Sequence, residues 1–117
     1  MLKLTKKELK DKAQWEDVAI STPQFDYQNL IKNTKDKPEW VNFGAGKIFR
    51  AFIARLQQEL LNQEEVETGI IAAEGFDYEI IDKVYAPADN LSLIVKMSAD
   101  GNLDKTLLAS ITEGLKA

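Results

Sequence analysis

Apolar positions divide this chain into two stretches. Up to Lys37 they are scattered among lysines and acids, and from Trp40 they recur with regular periods. The polar run Lys32-Asn-Thr-Lys-Asp-Lys-Pro38 marks the change. Before it, Thr5 to Lys12 reads as a short helix, with Thr5 as N-cap and Glu8 at the capping-box spacing. A second short helix is expected from about Asp26 to Asn33. After the change, Trp40–Phe43 reads as a strand. Ile48 to Asn62 carries apolar residues at 49, 52, 53, 56 and 60, the period of a helix. Thr68–Ala73 is the short apolar run of a buried parallel strand. Asp77–Val84 reads as a short helix ended before Pro87. Leu91, Leu93, Val95 and Met97 alternate with Ser92, Ile94 and Lys96, which predicts a strand, and Asp100-Gly101 is a hairpin signal. Lys105–Ile111 is either the returning strand or a helix, with the strand preferred.

Strand, helix, strand at this spacing is a βαβ unit. The expected fold is therefore α/β: a partial Rossmann-like nucleotide-binding domain, with a βαβ core, an N-terminal extension (1–37) packing on the body (38–117), and a C-terminal hairpin. Trp15, Phe25 and Tyr27 are the expected anchors of the extension.

A length of 117 residues fits one modest domain, and 44% hydrophobic with 29% charged residues is ordinary globular composition. The absence of cysteine and histidine changes the picture more. It excludes Ser-His-Asp and Cys-His nucleophiles and zinc sites of the usual ligands. Residues 1–37 carry eight lysines against six acids, while 38–117 carry seven basic and thirteen acidic residues, for a net charge of −4. The N-terminal lysines alternate with Glu8, Asp11, Glu16 and Asp17, as on a solvated helix rather than a nucleic-acid footprint. No stretch approaches the roughly 20 apolar residues of a membrane span, and no apolar core follows the basic N-terminus as in a secretory signal. The expectation is a cytoplasmic protein without nucleic-acid or membrane partners.

One segment carries chemistry. Phe43-Gly44-Ala45-Gly46-Lys47-Ile48-Phe49-Arg50 lies at the junction of the first body strand and the long helix. There Gly44 permits a tight turn, and Gly46 leaves room for a pyrophosphate against the backbone. The helix that follows aims its free N–H groups and positive dipole end at the same place. Lys47 and Arg50 add positive charge. The third glycine of the usual fingerprint is replaced by Phe49, so the segment is either a nucleotide loop or a structural glycine turn. A dinucleotide unit also needs a carboxylate at the end of its second strand for the adenosine ribose. Glu74 stands there, farther from Gly46 than the usual roughly 20 residues, with Asp77 as the fallback. Such a carboxylate favours NAD over NADP. Asp77, Glu79 and Asp82 lack the spacing of a calcium loop, as does Asp100-Gly101-Asn102, so no metal site is expected.

Phe43-Gly-Ala-Gly-Lys-Ile-Phe-Arg-Ala-Phe52 resembles the opening of the mannitol dehydrogenase family, the long-chain polyol dehydrogenases and hexuronate reductases. Gly44, Gly46, Arg50 and Ala51 match its GxGxxxRA pattern, and Arg50-Ala51-Phe52 is most similar to the tagaturonate reductase branch. Pro23-Gln-Phe-Asp-Tyr27, Thr68-Gly-Ile-Ile71, Asp89-Asn-Leu-Ser-Leu-Ile-Val95 and Ser110-Ile111 resemble flanking segments of the same family, so the likeness covers about residues 18 to 117. Lys47, Ile48 and Asn90 depart from frequent family residues. The resemblance implies the N-terminal, cofactor-binding part of an NAD-dependent oxidoreductase of a sugar alcohol or hexuronate. Gly44, Ala45, Gly46 and Lys47 would line the pyrophosphate, and Glu74 would bind the ribose. Arg50 would either touch phosphate or brace the loop through backbone carbonyls. It places no catalytic residue in this chain, since the family's proton-transfer lysine lies in a C-terminal domain, and it implies that the chain alone is inactive. The alternative is a stand-alone nucleotide-binding or interaction module without catalysis.

Overall fold

The computed structural model describes residues 2–117. Thr5, extended at φ −140°, caps α1 (Lys6–Leu9), its hydroxyl accepting the Glu8 N–H at 3.3 Å. The helix expected over Thr5–Lys12 is instead two short ones, α1 and α2 (Lys12–Glu16). Trp15 Nε1 donates to Glu8 O at 3.0 Å and folds the second turn back on the first, which buries both Leu9 and Trp15. After the two-residue strand β1 (Ile20–Ser21), Asp26 caps α3 (Tyr27–Asp36) by accepting from the Gln28 and Asn29 amides. This helix runs three residues past the expected end, to the point where Pro38 removes the helical option for its predecessor.

Three parallel strands form one sheet: β2 (Val41–Phe43), β3 (Ile70–Glu74) and, last in the chain, β6 (Ile111–Lys116), in the order β2-β3-β6. Read from β6, this is the 3-2-1 half of a doubly wound sheet, so the free edge of β2 is where strand order would reverse. A second sheet holds β4 (Ser92–Met97) and β5 (Leu103–Leu108) as an antiparallel hairpin turning at Gly101 (φ +88°), with β1 parallel to β5. The segment expected to return as one strand over Lys105–Ile111 is divided between the two sheets. At the crossing, Ser110 Oγ donates to Ala54 O at 2.6 Å, and Ala109 N donates to Gln58 Oε1 at 2.5 Å. Helix groups thus take hydrogen bonds that a continuous strand would have given to a neighbour.

The long helix starts at Lys47, passes through a π-turn at Phe49–Ile53 and continues as α4 (Ala54–Asn62). The extra residue of a π-turn rotates everything after it. Phe49 is buried, but the buried face then moves to Ala54, Gln57, Gln58 and Leu61 instead of residues 56 and 60. The two glutamines are satisfied inside: Gln57 Nε2 donates to Thr68 O and Gln58 Nε2 to Leu107 O, at 2.8 and 2.9 Å. Ile48, Phe52, Leu56 and Leu60, spaced by four, are left on the exposed side. After β3, α5 (Tyr78–Ile80) runs into a second π-turn at Ile81–Tyr85 and a short 3-10 turn at Ala86–Ala88.

Two cores result. One packs Phe49, Ala54, Ile81 and Tyr85 on Ile70, Ala72, Leu108 and Ile111. The other joins Leu9, Trp15, Tyr27 and Leu30 of the N-terminal segment to Leu61, Leu91 and Leu107. The Tyr27 hydroxyl lies 2.7 Å from Asp89 O and 3.1 Å from Ile111 O, tying the segment to the end of the second helical stretch and to β6. Burial, with Asp89 nearby, pushes that phenol well above its ordinary range.

Candidate functional site

The segment after β2 is held from three sides. Gly44 N donates to Ala73 O at 2.7 Å, and Gly44 then turns the chain at φ +127°, a conformation that favours glycine. Asn42 Nδ2 donates to Gly44 O at 3.0 Å. Ala45, fully buried, has its N–H on Glu74 Oε1 at 3.0 Å and its carbonyl on the Tyr85 hydroxyl at 2.9 Å. At Gly46 the chain opens outward. A Cβ placed there would meet nothing within 4 Å, and its φ lies outside the left-handed region. The fold therefore does not require glycine at this position, whereas it does at Gly44.

Arg50 N donates to Gly46 O at 3.1 Å and so begins the helix. Among the described residues, the Gly46, Lys47 and Ile48 amides find no protein acceptor. These are the unsatisfied donors of a helix N-terminus, and they flank the bare Gly46. Lys47 is exposed beside them. Arg50 lies over the Tyr85 ring, its guanidinium carbon 5.7 Å from the centroid, with Nε 3.4 Å from Gly46 O. That Nε contact reaches a backbone carbonyl of the loop.

Glu74 ends β3 beside this loop. Its Oε2 accepts from the Phe76 and Asp77 amides at 3.1 and 3.2 Å, while Oε1 accepts from Ala45. Those hydrogen bonds, Phe76 first, then Asp77 and Ala45, hold its carboxyl below the ordinary value. Asp77 gives its amide to Glu74 and caps α5 without a side-chain bond. Glu79 and Asp82 face Lys83 and Lys116 across salt bridges of 3.3 and 2.8 Å.

Two participants carried no motif. Tyr85 showed itself only as a polar-tipped aromatic four residues after Ile81, and a buried phenol must find a hydrogen-bond partner. Asn42 gave no signal within a short strand. Phe49, at the third fingerprint position, fills the core instead of permitting close helix–strand contact. The site is an open surface. A cleft of about 510 Å³ lies elsewhere, between Lys6, Lys12, Pro23 and Tyr27. No helix of the described residues is long and apolar enough to cross a membrane.

Fold and site together define an α/β protein carrying half of a Rossmann-like sheet, with a glycine loop and a carboxylate at its strand ends. No family model matches the sequence. The chain is 47% identical over 115 residues to the D-mannonate oxidoreductase of Thermotoga maritima, covering 98% of this chain and 21% of that protein. Its fold is similar to that of Pseudomonas fluorescens mannitol 2-dehydrogenase in ternary complex with NAD and D-mannitol (TM-score 0.71, 16% identity, 84% of this chain and 19% of that one). It is also similar to a substrate-free D-sorbitol dehydrogenase (TM-score 0.70, 21% identity, 85% and 20%). The resemblance to the mannitol dehydrogenase family is borne out, and the chain spans about one fifth of the length of the relatives it matches.

Proposed function

We propose that this chain is the N-terminal, NAD-binding part of an oxidoreductase that transfers hydride between NAD and a sugar alcohol or hexuronate. Residues 1–37 act as an extension and 38–117 as the cofactor-binding part. The name of the Thermotoga relative puts sugar acids ahead of neutral polyols as substrate. The observation that carries the reading is the meeting of Glu74 with the glycine loop, Ala45 N to Glu74 Oε1 at 3.0 Å, beside a Gly46 whose open face the fold does not need.

The residues fit the cofactor. Gly44, Ala45, Gly46 and Lys47 would line the pyrophosphate, with the amides of Gly46 to Ile48 donating to its oxygens. Beyond its three loop bonds Glu74 keeps one acceptor position, on Oε1, for a ribose hydroxyl, and its charge would repel a 2′-phosphate. Arg50 supports the loop from behind through Gly46 O. When bound, NAD supplies the hydride acceptor. This chain's own residues bind and orient it, and none is assigned a proton transfer. The isolated chain is accordingly expected to turn over no polyol, and measurable turnover would refute that.

A titration of the isotope-labelled chain with NAD, followed by amide NMR, tests the site. Saturable shifts at Gly46, Lys47, Ile48 and Glu74 are expected, with NADP at least about tenfold weaker. Absence of shifts there at millimolar NAD, or shifts confined to another region, would overturn the reading. The second reading, a nucleotide-binding or interaction module without catalysis, draws on the exposed Ile48, Phe52, Leu56 and Leu60 stripe.

A further inference from the structure

We infer that Tyr85 is a positioning residue for the glycine loop, holding the Ala45–Gly46 peptide so that its N–H faces the open side; this rests on the NAD reading only for its consequence in binding. A trans peptide is planar, with its C=O and N–H pointing in opposite directions. The Ala45 carbonyl points into the core, where the Tyr85 hydroxyl donates to it at 2.9 Å. The N–H of the same peptide belongs to Gly46 and is therefore aimed away from the core, where among the described residues it finds no protein acceptor. The preceding peptide is fixed independently, through Ala45 N on Glu74. The following one has its carbonyl, Gly46 O, held by Arg50 N and Nε. Tyr85 is thus the one side chain among these contacts that fixes the middle peptide. Like its two neighbours that peptide adjoins a glycine, whose backbone freedom would let it flip.

The surroundings of Tyr85 fit this task. It is 2% exposed, at the end of the Ile81–Tyr85 π-turn, beneath the Arg50 guanidinium. On its other side, β6 carries Gly114. A Cβ there would stand 3.0 Å from Tyr85 Cδ2 and 3.3 Å from Ile81 Cδ1, so the strand is bare where the ring enters. Burial pushes the phenol up to about 12, which keeps it a donor throughout the neutral range.

Tyr85→Phe removes only the hydroxyl. In the 117-residue chain without ligand, the Gly46 amide resonance is expected to shift, while amides of Ile71 to Ala73 stay as they were. NAD affinity is expected to fall about fivefold to tenfold, the scale of one neutral hydrogen bond. A folded Tyr85→Phe chain with an unmoved Gly46 amide overturns the inference, whether or not NAD binds. A moved Gly46 amide in a chain whose parent binds no NAD upholds the inference and sinks the cofactor reading alone. Should the variant not fold, the unmodified chain decides. A Tyr85 hydroxyl proton slow enough to observe supports the bond to Ala45 O, and rapid exchange with water refutes it.

Discussion

Gly46→Ser separates what the fold needs from what the cofactor needs. Gly46 precedes the first helical residue, Lys47, so it stands at the N-cap. Serine is among the best residues there, and glycine trails it by a few tenths of a kcal/mol. Replacing glycine at a compatible backbone position also removes unfolded-state freedom, worth about 0.4–1 kcal/mol. No atom lies within 4 Å of the new Cβ to offset this. The variant is therefore expected to be as stable as the parent or up to about 1 kcal/mol more stable, a rise of roughly 4 °C in Tm at this size. The same change places a side chain on the face where phosphate would sit and lets its hydroxyl take one of the free amides. NAD affinity is expected to fall at least about tenfold. Gly44→Ser is the converse, because φ +127° costs a non-glycine residue about 1–3 kcal/mol. Thermal unfolding paired with the NAD titration measures both. If Gly46→Ser destabilises the chain, the open face is wrongly assigned, and if it binds NAD like the parent, the loop is not the cofactor site.

Other consequences can be checked with equally simple variants. Gln58→Leu strands the buried Leu107 carbonyl and Ala109 amide and should cost about 2–4 kcal/mol in urea unfolding, whereas Gln63→Leu, on the surface, should stay within about 0.5 kcal/mol. Stability should fall at both ends of the pH scale. Glu74 has a folded-state pKa lowered from 4.5, so its contribution is present above that value and is lost as pH falls through the lowered one. Tyr85 is raised from 10.0 to about 12, so its contribution is intact below pH 10 and lost as pH climbs towards 12; Tyr85→Phe should make that alkaline limb shallower, with the likewise raised Tyr27 carrying the rest. The exposed Ile48, Phe52, Leu56 and Leu60 stripe and the unpaired edge of β2 should drive concentration-dependent self-association, which Leu56→Lys weakens in sedimentation velocity.

Much of the loop's setting was legible because it depends on local rules. Gly-x-Gly between a strand and a helix, Asp100-Gly101 between alternating residues, and a carboxylate closing an apolar run each report on their own few residues. Tyr85 and Asn42 were not legible, because they act through partners forty and two residues away whose relevant atoms are backbone carbonyls. Sequence carries no mark of which carbonyl a phenol will find. The split of α1 from α2 and the end of β5 escaped for the same reason. Trp15 on Glu8 O, and Gln58 and Ser110 at the sheet crossing, are side chains that take up backbone groups seven to fifty-six residues away.

The long helix shows how a correct period can still give the wrong face. Residues 49, 52, 53, 56 and 60 have the spacing of a regular helix, and a regular helix is what they predict. The π-turn at Phe49–Ile53 inserts one residue, so positions 54, 57, 58 and 61 come to face inward. Two of those are glutamines, which only specific backbone partners make tolerable there. The apolar stripe at 48, 52, 56 and 60 is correspondingly turned outward, on the same helix whose first turn leaves its amides free. A side chain as large as Phe49 at the third fingerprint position and a π-turn beginning at that residue occur together. The loop at the helix start is held without the missing glycine, by Tyr85 on Ala45 O and Arg50 on Gly46 O.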